Sequence, residues 1–281
     1  MSDLLRKAVI PIAGFGIRML PLSKAVPKEL LPINGLPVVH HVVAEAVASG
    51  CEQILFISRP GKRAVENYFR EDPALEKILA EKGQLHLLES LIELRSRFEL
   101  KVIDQEKQNG LGDAIACAKD FVGNDHFAVL LGDAILYSDE HSVLSQMLDV
   151  HKQHHASVIA VEEVPMEKVS KYGIVGGLHM DSKLVDVNKL VEKPSPEDSP
   201  SNLAVAARYI LSPAIFDYLE KTGKGKGGEL QISDALHKMA QSHKIMALKF
   251  AGKRLDIGNP KDFLEANNYL HATRNRKNAE L

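Results

Sequence analysis

Tryptophan is absent from the 281 residues, cysteine occurs twice, and aromatic side chains make up only 5% of the chain. Cys51 and Cys117 have no C-x-x-C partner, which excludes a zinc ribbon or a redox dithiol. A disulfide framework is also unnecessary, because a chain of this length buries about three-quarters of its unfolded surface. Cys51 follows Ser49-Gly50, and Cys117 lies in the apolar run Ala114-Ile115-Ala116-Cys117-Ala118, so both read as small packing residues in a reduced compartment. An excess of one charge is missing too: 35 Lys+Arg face 37 Asp+Glu, a net charge of −2. Such a balance provides no basic surface for a nucleic-acid backbone or an anionic membrane. Any anionic ligand must be held by a few local cations. Long hydrophobic runs are lacking as well. The stretch Phe127 to Tyr137 is interrupted by Gly132-Asp133 and falls short of the ~20 residues that span a bilayer. Met1 to Ala8 shows no apolar signal-peptide core, and the expected location is cytoplasmic.

What is present is an alternation of strand-length apolar runs with helix-period segments, the pattern of a parallel α/β sheet. Lys7 to Ile12 reads as a first strand ending in Ala13-Gly14-Phe15-Gly16. Val38, Val39, Val42, Val43, Ala46 and Val47 then line one face of a helix. Ile54 to Ile57 is a second buried strand, Arg63 to Arg70 a second helix. Pro73 to Arg97 is a helical insertion interrupted at Gly83. Leu100 to Ile103 reads as a strand, Gly110 to Phe121 as one helix, and Phe127 to Leu131 as a buried strand. Ser142 is placed to cap a helix carrying Val143, Leu144, Met147 and Leu148. After Glu162, short strands near Tyr172–Val175, Leu184–Val191 and Ala204–Leu211 suggest a mixed sheet at one edge, and helices close the chain from Pro260. The expectation is one α/β domain over residues 1–281, with a Rossmann-like mixed, mainly parallel sheet flanked by helices.

Several residues carry chemical meaning. Gly14-Phe15-Gly16-Ile17-Arg18 opens after the first strand, where a glycine-rich turn either lets a phosphate approach the backbone or is simply a tight turn. Neither the dinucleotide fingerprint nor the P-loop pattern is completed, which leaves a loop bearing the cations Arg18 and Lys28, the latter between Pro27 and Pro32. Asp133 follows a buried strand and a glycine, a position that suits either a Mg²⁺ ligand or a turn residue. Asp256, in Gly252-Lys253-Arg254-Leu255-Asp256-Ile257-Gly258, is by itself a turn candidate. Glu192 and Lys193, in Val191-Glu192-Lys193-Pro194, point to opposite faces if they continue a strand, and otherwise read as a solvated charge pair. Gln105 with Gly110-Leu111-Gly112 could read a flat polar ring or mark a helix start.

Taken in order, these seven segments resemble a family. Gly-x-Gly-x-Arg, Pro-Lys-Glu-Leu-Leu-Pro, Gln-x4-Gly-Leu-Gly, a strand-end Asp, Lys-Tyr-Gly, Val-Glu-Lys-Pro and Gly-Lys-Arg-x-Asp-x-Gly follow one another as in the sugar-1-phosphate nucleotidylyltransferases, whose fold is glycosyltransferase-A-like. The resemblance runs from about Lys7 to Leu270. Pro200 to Ala204, Gly227 to Ile232 and the insertion at 73–97 look like the uridylyl branch.

The resemblance implies that UTP and glucose 1-phosphate react in line to give UDP-glucose and pyrophosphate. By position in the matching segments, Arg18 and Lys28 would hold the triphosphate, and Asp133 and Asp256 a Mg²⁺ ion. Lys193 would grip the sugar phosphate, and Glu192 and Gly173 the glucose hydroxyls. Ala13, Gly14, Gln105 and Gly110 would contact the uracil, with Gly16 shaping the nucleotide loop. A homodimer or homotetramer is also implied. Two departures stand out: Ile17 replaces a usual Thr, and Ala207 a usual Gly. The first motivates a competing reading, a non-catalytic or weakened regulatory paralogue; a thymidylyl- or cytidylyltransferase is a further alternative.

Overall fold

The computed structural model describes residues 5–279, with side chains described as far as residue 273. Met1–Leu4, the start of the stretch read above as lacking a signal peptide, lie outside them. Nine strands form the main sheet. In chain order they are β1 (Lys7–Pro11), β2 (Gln53–Ser58), β3 (Glu99–Asp104), β4 (Phe127–Leu130), β5 (Ser157–Glu163), β6 (Gly173–His179), β7 (Leu184–Glu192), β8 (Leu203–Leu211) and β9 (Ile245–Lys249). Their spatial order is β3-β2-β1-β4-β8-β5-β9-β7-β6. The pairs β3–β2, β2–β1, β1–β4 and β5–β9 are parallel, whereas β8 and β7 run against their neighbours. The sheet is therefore mixed, with β8 and β7 reversed relative to the other seven strands. One expectation fails: the antiparallel character is not confined to an edge, because β8 lies in the middle of the sheet, between β4 and β5. Sequence order cannot reveal this, since a strand late in the chain is free to insert between earlier ones.

Both faces of the sheet are buried, which is why its strands read as continuous apolar runs rather than alternating ones. Ala8, Ile10, Ile54, Phe56, Ala128 and Leu130 point to one face, in a core shared with helices Val38–Ala48 and Val143–His154. Val9, Leu55, Ile57, Phe127 and Val129 point to the other, in a core with helices Leu111–Ala116, Ile215–Glu220 and Ile232–Met239. All six apolar residues predicted on the first helix are buried, a contribution of roughly 1.5–3 kcal/mol for each valine. Ser142 caps the helix Val143–His154 by accepting the Ser145 N–H at 3.0 Å. The predicted helix from Gly110 to Phe121 is two pieces, Leu111–Ala116 and Lys119–Val122, because the chain turns at Cys117-Ala118 to keep Ala118 and Val122 in the core. Cys51 is buried, as expected, but Cys117 is only half-buried. Among the described residues, no helix is long and apolar enough to cross a membrane.

Parallel strands end together. The carboxyl ends of β1, β2, β3 and β4 therefore bring Ala13, Arg59, Gln105 and Asp133 to the same edge of the sheet, although they are far apart in sequence. Ligands of open α/β sheets bind at such edges.

Candidate active site

A cleft of about 860 Å³ opens at this edge. Ala13, Gly14, Gly16, Arg18, Lys28, Gln105, Gly110, Asp133, Gly173, Glu192, Lys193 and Asp256 all line it. The structure thus brings together every residue singled out in the sequence. Ile17 is also in the lining, 71% exposed, so its lack of a hydroxyl leaves no buried polar group unpaired.

The glycine-rich turn is held by hydrogen bonds and charge. Gly16 adopts a left-handed conformation with φ 67°, and its carbonyl accepts the Ser23 hydroxyl at 2.8 Å. Beneath the turn, the buried Lys62 ammonium donates to the carbonyls of Ile12 and Gly14 and to Glu29 Oε2 at 2.8 Å. Burial raises the pKa of Glu29 and lowers that of Lys62, against the attraction between them. Neighbouring Lys28 faces the cleft instead, where its ammonium is paired with Asp133 Oδ2. Burial opposes ionisation of both partners of that pair. Even so, Asp133 and Glu29 hold the Lys28 pKa above its usual range, while Lys28 and Arg18 hold the Asp133 carboxyl below its own. Lys28 is thus a fixed ammonium and Asp133 a fixed carboxylate.

Asp256 reaches Asp133 through a feature the sequence did not suggest. Ala134–Tyr137 and Lys253–Asp256 form a small antiparallel sheet in which Asp256 pairs with Ala134, next to Asp133. Gly258 N–H donates to Asp256 Oδ1 at 2.7 Å, leaving the second carboxylate oxygen to the cleft. A side chain at 258 would meet Arg18 at 2.5 Å, so glycine there lets the guanidinium lie against the backbone beside Asp256. Among the described residues no group of three or more His, Cys, Asp or Glu is arranged around a metal position. Asp133 and Asp256, which both line the cleft, nevertheless suit Mg²⁺, which uses one or two carboxylates and completes its shell with water and substrate phosphate.

At the opposite wall, Lys193 lies just beyond β7 in a left-handed conformation (φ 48°). Its N–H donates to the Tyr172 carbonyl at 2.9 Å. The turn corrects the expectation of opposite faces: both Glu192 and Lys193 face the cleft, with Lys193 Nζ 3.1 Å from Glu192 Oε1. Ser233 donates to the other oxygen, Glu192 Oε2, at 2.6 Å. A Cβ at Gly173 would sit 2.9 Å from Ser233 Oγ and 3.2 Å from Glu192 Oε2, so glycine keeps this polar corner open. Gln105 is buried at a third wall, where its amide donates to Asp113 Oδ2 at 2.6 Å and to the Gly110 carbonyl at 3.3 Å. Both contacts are made by the amide nitrogen, so neither uses the side-chain carbonyl oxygen. Gly110 packs so closely on residues 229–230 that a Cβ would lie 2.7 Å from the Leu230 carbonyl.

Two supporting residues, Arg208 and Arg254, escaped the sequence reading. Arg208, fully buried, donates to Glu45 Oε2 at 3.0 and 2.8 Å and to the Ala134 carbonyl at 2.8 Å. It ties the helix Val38–Ala48 to the backbone that follows Asp133. A lone cation in the apolar run Leu203–Leu211 was the available signal. Ala207 has φ 63°, at a break in the β8–β5 register, which accounts for glycine being usual there. Arg254 pairs with Glu162 at 2.6 Å and stacks over the Tyr172 ring at 4.6 Å, so it braces the strand that carries Asp256.

Comparison with known proteins gives a consistent result. The family model described as nucleotidyl transferase matches residues 7–273. A UTP–glucose-1-phosphate uridylyltransferase of Bacillus subtilis (strain 168) is 41% identical over 259 residues, 92% of this chain and 88% of that protein. A crystal structure of apo UDP-glucose pyrophosphorylase superposes with TM-score 0.91 at 38% identity, covering 96% of this chain and 100% of that one. A UDP-glucose pyrophosphorylase complexed with UDP-glucose superposes with TM-score 0.88 at the same identity and coverage. With its segments gathered around one cleft and the match spanning nearly its whole length, the chain belongs to the nucleotidyl transferase family.

Proposed function

We propose that the chain transfers the uridylyl group of UTP to glucose 1-phosphate, yielding UDP-glucose and pyrophosphate. The observation that carries this reading is the convergence of Arg18, Lys28, Lys193, Asp133, Asp256 and Glu192 on one cleft, in a chain similar along most of its length to proteins named for this reaction. A phosphate oxygen of glucose 1-phosphate attacks the α-phosphorus of UTP, and the bond from that phosphorus to the β-phosphate bridging oxygen breaks. The nucleophile is already anionic at neutral pH, so no general base is needed. The obstacle is repulsion. Each pair of unit charges at 4 Å costs about 4 kcal/mol at an effective dielectric near 20. The chain's contribution is accordingly charge and alignment rather than covalent chemistry.

Lys28 and Arg18 face the triphosphate and stabilise the charge that develops on departing pyrophosphate. Lys193 holds the sugar phosphate from the opposite wall. Glu192, half-occupied by Ser233, accepts glucose hydroxyls in the space that Gly173 leaves open. Gln105 presents its carbonyl to a ring N–H of uracil, packed against Ala13, Gly14 and Gly110. Gly16 lets the loop backbone turn toward phosphate. Asp133 and Asp256 would hold a divalent cation, Mg²⁺ by the all-oxygen donor set, which when bound neutralises phosphate charge. We further infer a single catalytic domain, a cytoplasmic enzyme and a homodimer or homotetramer.

The test is pyrophosphate release from glucose 1-phosphate with UTP, dTTP or CTP, with and without Mg²⁺. Turnover with UTP well above the other two supports the reading. UDP-glucose binding without turnover would instead establish the regulatory paralogue that Ile17 raises.

A further inference from the structure

Gln105 follows β3 directly, and its main chain is held on both sides. Its N–H donates to the Ser58 carbonyl at the end of β2 at 2.8 Å, and its carbonyl accepts the Gln108 amide at 3.1 Å. The side chain is buried and lines the cleft. One choice remains, namely which end of the amide faces the protein, because the oxygen and the NH₂ group of a glutamine exchange places with little change of shape. Two acceptors make that choice. The Gly110 carbonyl is the weaker: it lies 3.3 Å from Gln105 Nε2 and already accepts the Ala114 N–H at 3.2 Å. Asp113 Oδ2 is nearer, at 2.6 Å, and a hydrogen bond to a carboxylate is roughly twice as strong as one between neutral groups. Among the described residues the Asp113 side chain makes no other hydrogen bond and no ion pair, and nothing donates to Gln105 Oε1.

We infer that Asp113 is a specificity-determining positioning residue: by holding the Gln105 NH₂ group, it fixes Oε1 as the atom offered to the pyrimidine and so selects uracil over cytosine. The inference rests on the uridylyl-transfer reading above and names what sets the polarity of the base contact in this chain. Uracil carries a hydrogen on N3, which Oε1 can accept. Cytosine has a lone pair on N3, so the same orientation sets two acceptors against each other in a buried site, where an unpaired polar group costs most. A flipped amide would suit cytosine, but it would turn Oε1 onto Asp113 Oδ2 and the Gly110 carbonyl. Asp113 gives the stronger opposition to that flip, since the Gly110 carbonyl is farther away and shared with Ala114. Its place follows from the helix start. Asp113 lies in the first turn of Leu111–Ala116, where the positive end of the helix favours a carboxylate, and that turn carries it to the Gln105 amide without entering the cleft lining.

The experiment uses the full-length protein with Mg²⁺. Kd for UTP, dTTP and CTP is measured by calorimetry, and kcat/KM for each with glucose 1-phosphate. The proteins are wild type, Asp113→Ala, Asp113→Asn, Gln105→Ala and the Asp113→Ala/Gln105→Ala double variant. Thymine carries the same N3–H as uracil, which makes dTTP the control. The expected result is a fall of about tenfold in the preference for UTP over CTP in Asp113→Ala, and a smaller fall in Asp113→Asn, whose isosteric amide can still accept. The UTP-to-dTTP ratio stays within about twofold in both. In the Gln105→Ala background, Asp113→Ala changes neither ratio, because it acts through Gln105. An unchanged UTP-to-CTP ratio in both Asp113 variants overturns the assignment, as does a wild type that binds UTP and CTP alike. So does an equal loss with all three nucleotides, the mark of a helix brace, or an Asp113 effect that persists without Gln105. If Asp113→Ala folds poorly, the isosteric Asp113→Asn carries the same test. Gln105→Ala separates this inference from the reading beneath it. A preference for UTP that survives Gln105→Ala removes the uracil contact and Asp113 with it, whereas a preference lost there but kept in the Asp113 variants removes Asp113 alone. Selective binding of UTP without turnover would overturn the transferase reading, and the Kd ratios would still decide the role of Asp113.

Discussion

Two ion pairs in this protein use the same chemistry at different depths. Arg208 and Glu45 lie in the core with side chains 0% and 7% exposed, and their polar atoms are heavily committed. The guanidinium donates to Glu45 and to the carbonyls of Ala207 and Ala134, while Glu45 Oε1 accepts the Leu144 N–H at 3.1 Å. Lys28 and Asp133 lie at the cleft, 18% and 22% exposed, and Asp133 leaves capacity for another partner. The first pair is closed: no ligand can reach it, and it fixes the backbone on which the site stands. The second is open, and each partner has a charge that phosphate or metal can share. Solvent access and the number of remaining hydrogen-bonding positions therefore separate the structural pair from the functional one.

The contrast can be broken by substitution. Arg208→Met leaves Glu45 as an unpaired buried charge and should cost about 3–5 kcal/mol in urea unfolding. A loss below about 1 kcal/mol would mean that the pair does not hold the scaffold. Asp133→Asn should lower kcat/KM by about 10²–10³ with far less effect on stability, measured by steady-state kinetics alongside the same unfolding experiment. Normal turnover would remove Asp133 from the reaction, and a stability loss matching that of Arg208→Met would erase the distinction between the pairs.

Acid titration sharpens the comparison with the smallest effect. Burial opposes the Asp133 carboxylate, yet Lys28 keeps its folded pKa below the ordinary 3.8. Its contribution to stability is therefore complete above that value and is lost as pH falls through the lower, folded pKa. As pH falls below 3.8, measured stability should decline more steeply for wild type than for Asp133→Asn. Parallel curves would show that the open pair adds nothing to folding.

Much of the site was legible because it was written in local segments. Gly14 to Arg18, Pro27 to Pro32, Val191 to Pro194 and Gly252 to Gly258 each combine a backbone constraint with a charge, and such combinations survive reading in one dimension. Arg59 was passed over because neither its own segment nor its charge distinguishes it. Only the parallel pairing of β1 with β2 sets it beside Phe15 and the loop. Asp256 was ambiguous for the same reason, since its meaning depends on a small sheet joining residues 134–137 to 253–256.

By itself, the sequence determined the buried parallel strands, the helix faces and the types of residue available for phosphate chemistry. Hydrophobic period and turn chemistry act over neighbouring residues, and this makes them readable. Tertiary structure decided the central place of β8, the left-handed turn that brings Lys193 round to the side of Glu192, and which cations are balanced. The charge balance depends on contacts between residues far apart in sequence, 33 positions for Glu29 and Lys62 and 163 for Glu45 and Arg208. Charge balance in a fold is a property of such distances. Composition gave a net charge of −2, and only the folded chain shows Lys24 and Arg59 beside the cleft without an ion-pair partner among the described residues.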